Sequence, residues 1–138
     1  TAGFDTTSYT EIERASTRMA RLATTYAESN NTHVTVITGR AYGTASVLLG
    51  SRAIGSDICL ALEGADISII TPETAVQFMY GDEIDSAADP REARNARIAE
   101  WKEMHGGTGE AAMEGEIDDI IAPAELRARI AAAVKEFR

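Results

Sequence analysis

A β-branched run, His33-Val34-Thr35-Val36-Ile37-Thr38, ends in Gly39-Arg40-Ala41-Tyr42-Gly43 and passes directly into Thr44-Ala45-Ser46-Val47-Leu48-Leu49. This passage constrains the fold more than any other. The β-branched side chains suit a half-buried strand. The two glycines permit a sharp exit, and a helix that starts with small residues lets the backbone or a ligand come close. A strand feeding a helix in this way is half of a βαβ unit. The same alternation recurs along the chain, so an α/β layered architecture with crossover connections is expected.

The remaining elements follow from periodicity and end signals. Tyr9, Ile12, Met19, Leu22, Ala23 and Tyr26 share one helical face over residues 9–29, and Ser8 with Glu11 forms a capping-box pattern ahead of it. After the loop at 39–43, a short buried helix is expected over Thr44–Leu49. Strands are expected at Ile58–Leu62 and Ile67–Ile70, separated by Glu63-Gly64-Ala65-Asp66. Thr71-Pro72 and Asp89-Pro90 are cap-and-proline helix starts, the first helix running to about Tyr80 and the second to about His105. A helical turn at Ala111–Glu114, a strand at Ile117–Ile121 and a terminal helix after Pro123 complete the order, the last with Leu126, Ile130, Ala133, Val134 and Phe137 on one face.

Composition narrows the function classes. The 138 residues suit one domain, and 44% hydrophobic content is enough for a core. The net charge is −9, and residues 82–119 hold 12 acidic against 4 basic side chains, a net of −8. That distribution argues against a nucleic acid partner, whose phosphates bind Lys and Arg, and against an anionic membrane surface. The acidic segment is expected to be a solvated face. No apolar run is longer than that at Ile58–Leu62, far below the roughly 20 residues that span a bilayer. A single cysteine, Cys59, and no secretory pattern make the cytoplasm the expected compartment. The chain opens Thr1-Ala2-Gly3-Phe4 without methionine, from which a missing upstream part is expected.

Few side chains qualify for chemistry. Ser46 has His33 and His105 as conceivable bases but lacks the flanking glycines of a nucleophile elbow. Asp118 and Asp119 are adjacent on an expected strand and point to opposite faces, which spoils them as an acid/base pair. Cys59 sits in an apolar run and is expected to pack as a small hydrophobe; Trp101 spaces with Ile98 as packing. Two separated histidines and one cysteine give no metal site. What remains is backbone. If the amides of Thr44 and Ala45 point together at the helix start, they can stabilise an oxyanion without a titrating group. A glycine turn that serves only packing is the competing reading.

Val34-Thr35-Val36-Ile37-Thr38-Gly39-Arg40-Ala41-Tyr42-Gly43-Thr44-Ala45 resembles the passage of biotin-dependent acyl-CoA carboxyltransferases in which a Val-Thr-Val-Ile strand runs into Ala-Tyr-Gly-Gly-Ala. Ile54-Gly55-Ser56-Asp57 and Ala65-Asp66-Ile67-Ser68-Ile69-Ile70 are similar, in order, to that family's Gly-Ala-Asp and Ala-Glu-Ile-Ala-Val-Met segments. Residues 111–123 resemble its Ala-Ala-Glu-Arg-Gly-Tyr-Ile-Asp-Asp-Val-Ile-Asp-Pro stretch, residues 126–130 its Thr-Arg-Pro-Arg-Leu, and Thr1-Ala2-Gly3-Phe4 its Thr-Pro-Gly-Phe turn. The resemblance covers nearly the whole chain, but only the C-terminal half of the family's architecture.

The resemblance implies a crotonase-like (ClpP/crotonase) α/β fold with βαβ units, residues 1–138 forming the C-terminal carboxyltransferase domain of a longer protein. It implies carboxyl transfer between carboxybiotin and the α-carbon of an acyl-CoA of acetyl, propionyl or methylmalonyl type. Biotin would arrive on a carrier protein, with no metal. The Thr44 and Ala45 amides correspond to the oxyanion pair facing the biotin ureido oxygen, Tyr42 and Gly43 shape the turn, and Val47 occupies the position associated with acyl choice. Thr44 stands where glycine is usual. The implied partners are a biotin carboxyl carrier protein, a biotin carboxylase or a decarboxylase membrane subunit, and further copies in a homo-oligomer. A non-catalytic scaffold module is one alternative; a CoA-dependent hydratase or isomerase is another, needing paired carboxylates. Because the resemblance covers only the biotin-side half, the purified 138-residue chain is expected to show little or no turnover with acyl-CoA and free biotin, and substantial rates in that assay would refute this expectation.

Overall fold

A computed structural model describes Phe4, Thr7 and residues 14–137. The Ser8/Glu11 capping box, Tyr9 and Ile12 lie outside the described residues. Helix α1 spans Ala15–Glu28, followed by strands β1 (Val34–Ile37) and β2 (Arg40–Tyr42), then helix α2 (Gly43–Leu48) and a 3-10 turn at Arg52–Ile54. Strands β3 (Ile58–Leu62) and β4 (Asp66–Ser68) precede the long helices α3 (Pro72–Asp85) and α4 (Pro90–His105). Short helix α5 (Gly109–Met113), strand β5 (Asp119–Ile121), a 3-10 turn at Pro123–Glu125 and helix α6 (Leu126–Glu136) close the order.

The strands form two parallel sheets. One has the order β1-β3-β5, with Val34 opposite Ile58 and Leu60 opposite Asp119; the other pairs β2 with β4, Arg40 opposite Asp66 and Tyr42 opposite Ser68. Consecutive strands therefore never pair. β1 and β2 go to different sheets, and so do β3 and β4, which makes two turns of a strand-strand-helix repeat. Parallel pairing requires a crossover between partners, and the intervening strand and helices supply it. The segment 39–43, expected as a loop, contains β2: Arg40–Tyr42 is extended because β4 arrives later in the chain to pair with it.

That pairing also explains where other expectations shift. β4 stops at Ser68 because β2 ends opposite it as the chain turns into α2, leaving Ile69 and Ile70 without a strand partner, Ile69 79% exposed. Helix α2 buries only Ala45, while Val47 and Leu49 are exposed, since a helix of six residues turns a single narrow face to the core. Helix α3 runs past Tyr80 and Gly81 to Asp85 because Ile84 in its last turn is fully buried. Both cap-and-proline starts are present: Thr71 Oγ1 accepts from the Thr74 N–H, and Asp89 Oδ1 from the amides of Arg91 and Glu92.

The core gathers around β3. Cys59, Leu60 and Ala61 are buried, with Ile121 on β5, Val76 and Ile84 on α3, and Ala133 on α6. Helix α4 carries no buried residue and is tied to α3 by polar contacts, Arg97 bridging to Glu83 at 2.6 Å with its guanidinium 4.7 Å from the Tyr80 ring. Leu60, 1% exposed at the centre of the larger sheet, has no room to be replaced. Leu60→Ala is expected to cost about 2–5 kcal/mol in urea unfolding, the sum of lost transfer energy and the cavity left behind.

Candidate functional site

The site is built on the end of β2. Tyr42 precedes α2 with extended backbone, and Gly43 makes the turn at φ +62, a conformation in which a side chain is strained; its added Cβ would also stand 3.4 Å from the Ile69 carbonyl. The amides of Thr44 and Ala45 fall in the first helical turn, where no carbonyl lies four residues back, and no side chain caps that end. Ser46 is turned inward, its hydroxyl donating to the Gly43 carbonyl at 2.7 Å. Thr44 is exposed, whereas Ala45 has no exposed surface.

A hollow of about 200 Å³ opens beside this turn, lined by Phe4, Tyr42, Gly43, Thr44, Ile69 and Ile70, with Thr71 and Thr74 at the start of α3. The Tyr42 ring is buried and its hydroxyl donates to Asp66 Oδ2. Burial first, and the Asp66 carboxylate second, push the phenol up to about 12, so Tyr42 stays protonated at neutral pH and keeps its bond to Asp66.

The structure separates the other sequence candidates. Val47 lines a different recess of about 110 Å³, shared with Thr35, Ser51 and Cys59 but not with Tyr42, Gly43 or Thr44. Neither histidine reaches Ser46: His33 stands edge-on to Tyr26 and donates its backbone N–H to Asp57, and His105 lies against Trp101 with Nδ1 3.8 Å from Glu110. Asp118 bonds Arg52 and the Cys59 N–H, while Asp119 bonds Arg129, so the two carboxylates serve separate cations. Trp101, expected as packing, forms with His105 one wall of a cavity of about 330 Å³ floored by Ile67 and Ala111. No local pattern marks Asp66, because its bond to Tyr42 depends on the pairing of β2 with β4, which sets Asp66 opposite Arg40, two residues from Tyr42 on the same face. Among the described residues no group of three or more His, Cys, Asp or Glu could hold a metal, and no helix is long and apolar enough to cross a membrane.

Two small parallel sheets whose strands alternate along the chain, with a glycine turn into an uncapped helix start, define the crotonase-like α/β class. Within it, the chain belongs to the carboxyl transferase domain family, which matches residues 1–136. It is 40% identical over 111 residues to a putative propionyl-CoA carboxylase beta chain of Bacillus subtilis, covering 80% of this chain and 22% of that protein. It is 33% identical to a methylmalonyl-CoA decarboxylase subunit alpha of Propionigenium modestum, covering 80% of this chain and 22% of that one. The crystal structure of a transcarboxylase 12S subunit, a hexamer assembly with methylmalonyl-coenzyme A bound, superposes with a TM-score of 0.88 at 29% identity, over 99% of this chain and 26% of that one. The chain thus spans about a fifth to a quarter of the relatives it matches.

Cys59 gives the site's surroundings a pH dependence. Burial, and then the neighbouring Asp118, raise its thiol from the ordinary 9.0 to about 11, and Tyr42 is raised from 10.0 to about 12. Above pH 9 the unfolded chain releases protons that the folded chain retains, so stability falls as pH rises. The urea midpoint is expected to decline from pH 9 upward, and Cys59→Ala to remove the earlier part of that decline.

Proposed function

We propose that this domain supplies the biotin-side half of a biotin-dependent acyl-CoA carboxyltransferase active site. The observation that carries the reading is the uncapped start of α2, with Thr44 exposed on the hollow beside Tyr42 and Gly43. The family membership and the named activities of the relatives point the same way. The hollow suits a biotin ring in kind: isoleucine walls at Ile69 and Ile70, threonines at Thr71 and Thr74, and the helix start at Thr44 on one side.

Biotin bound here would supply the carboxyl group, carried on N1, with negative charge developing on the ureido oxygen as that group leaves. The chain's own contribution would be electrostatic. The Thr44 N–H would donate to that oxygen, since a fixed donor aimed at developing charge lowers the barrier without reorganising. Ala45 has no exposed surface and lines a separate recess with residues 35–41, so of the two amides Thr44's is the one this geometry brings to the hollow. Gly43 holds the turn open, since a side chain there would crowd the Ile69 carbonyl. No side-chain base is asked of this domain, consistent with the separate engagement of Ser46, Asp118 and Asp119.

The acyl-CoA, the direction of transfer and the partners belong to the same proposal. Acyl-CoA would be held by another domain, with biotin delivered on a carrier protein charged by a biotin carboxylase or, in a decarboxylase, coupled to a membrane subunit. The exposed apolar side chains Ile69, Phe78 and Met113 would lie against those domains or against further copies of the chain. Val47, in its own recess, would influence acyl choice only from a distance.

Thr44→Pro removes the N–H at a first-turn position where proline is tolerated. In the complete enzyme it is expected to lower kcat by about 100- to 1,000-fold with little change in thermal stability. Wild-type rates in Thr44→Pro, or no biotin binding by the assembled enzyme, would return the domain to the scaffold reading.

A further inference from the structure

Asp66 opens β4 and ties three segments together. Its Oδ2 accepts from the Tyr42 hydroxyl, its Oδ1 accepts the Gly107 N–H at 3.0 Å, and its own N–H donates to the Gly39 carbonyl at 3.1 Å. The next residue, Ile67, donates its N–H to the Gly107 carbonyl at 3.2 Å, so the Gly107 residue is held through both of its backbone polar groups. Gly107 lies just past the end of α4, two residues beyond His105, which with Trp101 walls the larger cavity. Ile69 and Ile70 line both that cavity and the hollow at Thr44, and they leave β4 three and four residues after Asp66.

We infer that Asp66 is a positioning residue for the Tyr42–Thr44 turn, its two carboxylate oxygens holding the Tyr42 hydroxyl and the Gly107 peptide so that the Thr44 amide keeps a fixed relation to the Ile69–Ile70 wall. The inference rests on the proposal that the Thr44 amide faces the ligand oxygen. It follows from where the restraint is needed. β2 and β4 share only three residue pairs, too short a ladder to fix a strand end alone, and the strand end carries the turn. A buried tyrosine anchored through its hydroxyl immobilises the residue just before Gly43, whose glycine backbone would otherwise leave the helix start free to swing. Asp66 touches no residue of the helix start itself in any side-chain bond the structure shows; it acts through Tyr42.

The test uses the full native enzyme with Tyr42→Phe, Asp66→Ala, Asp66→Asn and the Asp66→Ala/Tyr42→Phe double variant, read by backbone hydrogen exchange and by steady-state carboxyl transfer. Tyr42→Phe, which deletes one oxygen and keeps the buried ring, is expected to speed exchange over residues 46–49, the amides that the helix start protects, and to lower kcat by about tenfold, with KM for acyl-CoA unchanged. Asp66→Ala should speed exchange over residues 105–108 as well, and the double variant should turn over no more slowly than Asp66→Ala, because both substitutions break one linkage. Asp66→Asn keeps an oxygen for Gly107 and offers its NH2 to the tyrosine oxygen, so it should retain most of kcat. Unchanged exchange at 46–49 in Tyr42→Phe, faster exchange without loss of kcat, losses that multiply in the double variant, or Asp66→Asn as damaged as Asp66→Ala would each overturn the inference. An enzyme whose wild type transfers no carboxyl group would overturn the functional proposal instead, while the exchange at 46–49 still decides whether Asp66 holds the turn.

Discussion

The pairing of Arg40–Tyr42 with Asp66–Ser68 is the contact on which the rest of the structure depends. It sends β2 out of the sheet that β1 has joined, and it does the same to β4 after β3. Once those two short strands lie side by side, Tyr42 is the last residue with a partner, and the chain must turn into α2 beside the place where Ile69 and Ile70 depart. Both walls of the hollow are thus consequences of one register. A ladder of three residues is weak by itself, and burial of Ala41, Tyr42 and Ile67 supplies what the hydrogen bonds do not.

The packing is built largely from small residues. Ala41, Ala45, Ala61, Ala65, Ala75, Ala111 and Ala133 are all buried. Small side chains bury little area each but let elements approach closely, which is what the junction of two sheets and several short helices requires. Close packing also fixes backbone positions, and in the proposed site the backbone would be the functional material. A donor made from a main-chain N–H has no rotamer to choose, so its aim is set wholly by how the strand end and the helix start are held. That is why a hollow lined by isoleucines and threonines, without a charged side chain, can still be a candidate for charge stabilisation.

Much of this was legible along the chain. The β-branched run at Val34–Ile37, the apolar run at Ile58–Leu62 and the proline starts at Pro72 and Pro90 each reflect local preferences that tertiary structure did not overrule. The motif around Tyr42-Gly43-Thr44-Ala45 was legible as well, because a glycine turn into small residues is a local signal. Arg40–Tyr42 was not, since its strand character comes from a partner 26 residues later. Nor was Asp66: an acidic residue after Gly64-Ala65 looks like part of a solvated turn until the register sets it beside a buried hydroxyl.

Periodicity, caps and ordered motifs therefore determined the class of fold, the order of most elements and the passage in which a site should lie, since these depend on neighbours within a turn or a strand. Tertiary structure decided which strands share a sheet, that Thr44 is open while Ala45 is closed, that Val47 faces another recess, and that Asp66 accepts from the Tyr42 hydroxyl. Those facts depend on contacts between segments distant in sequence, and a pattern read along a chain carries no record of which distant backbone will come to lie against it.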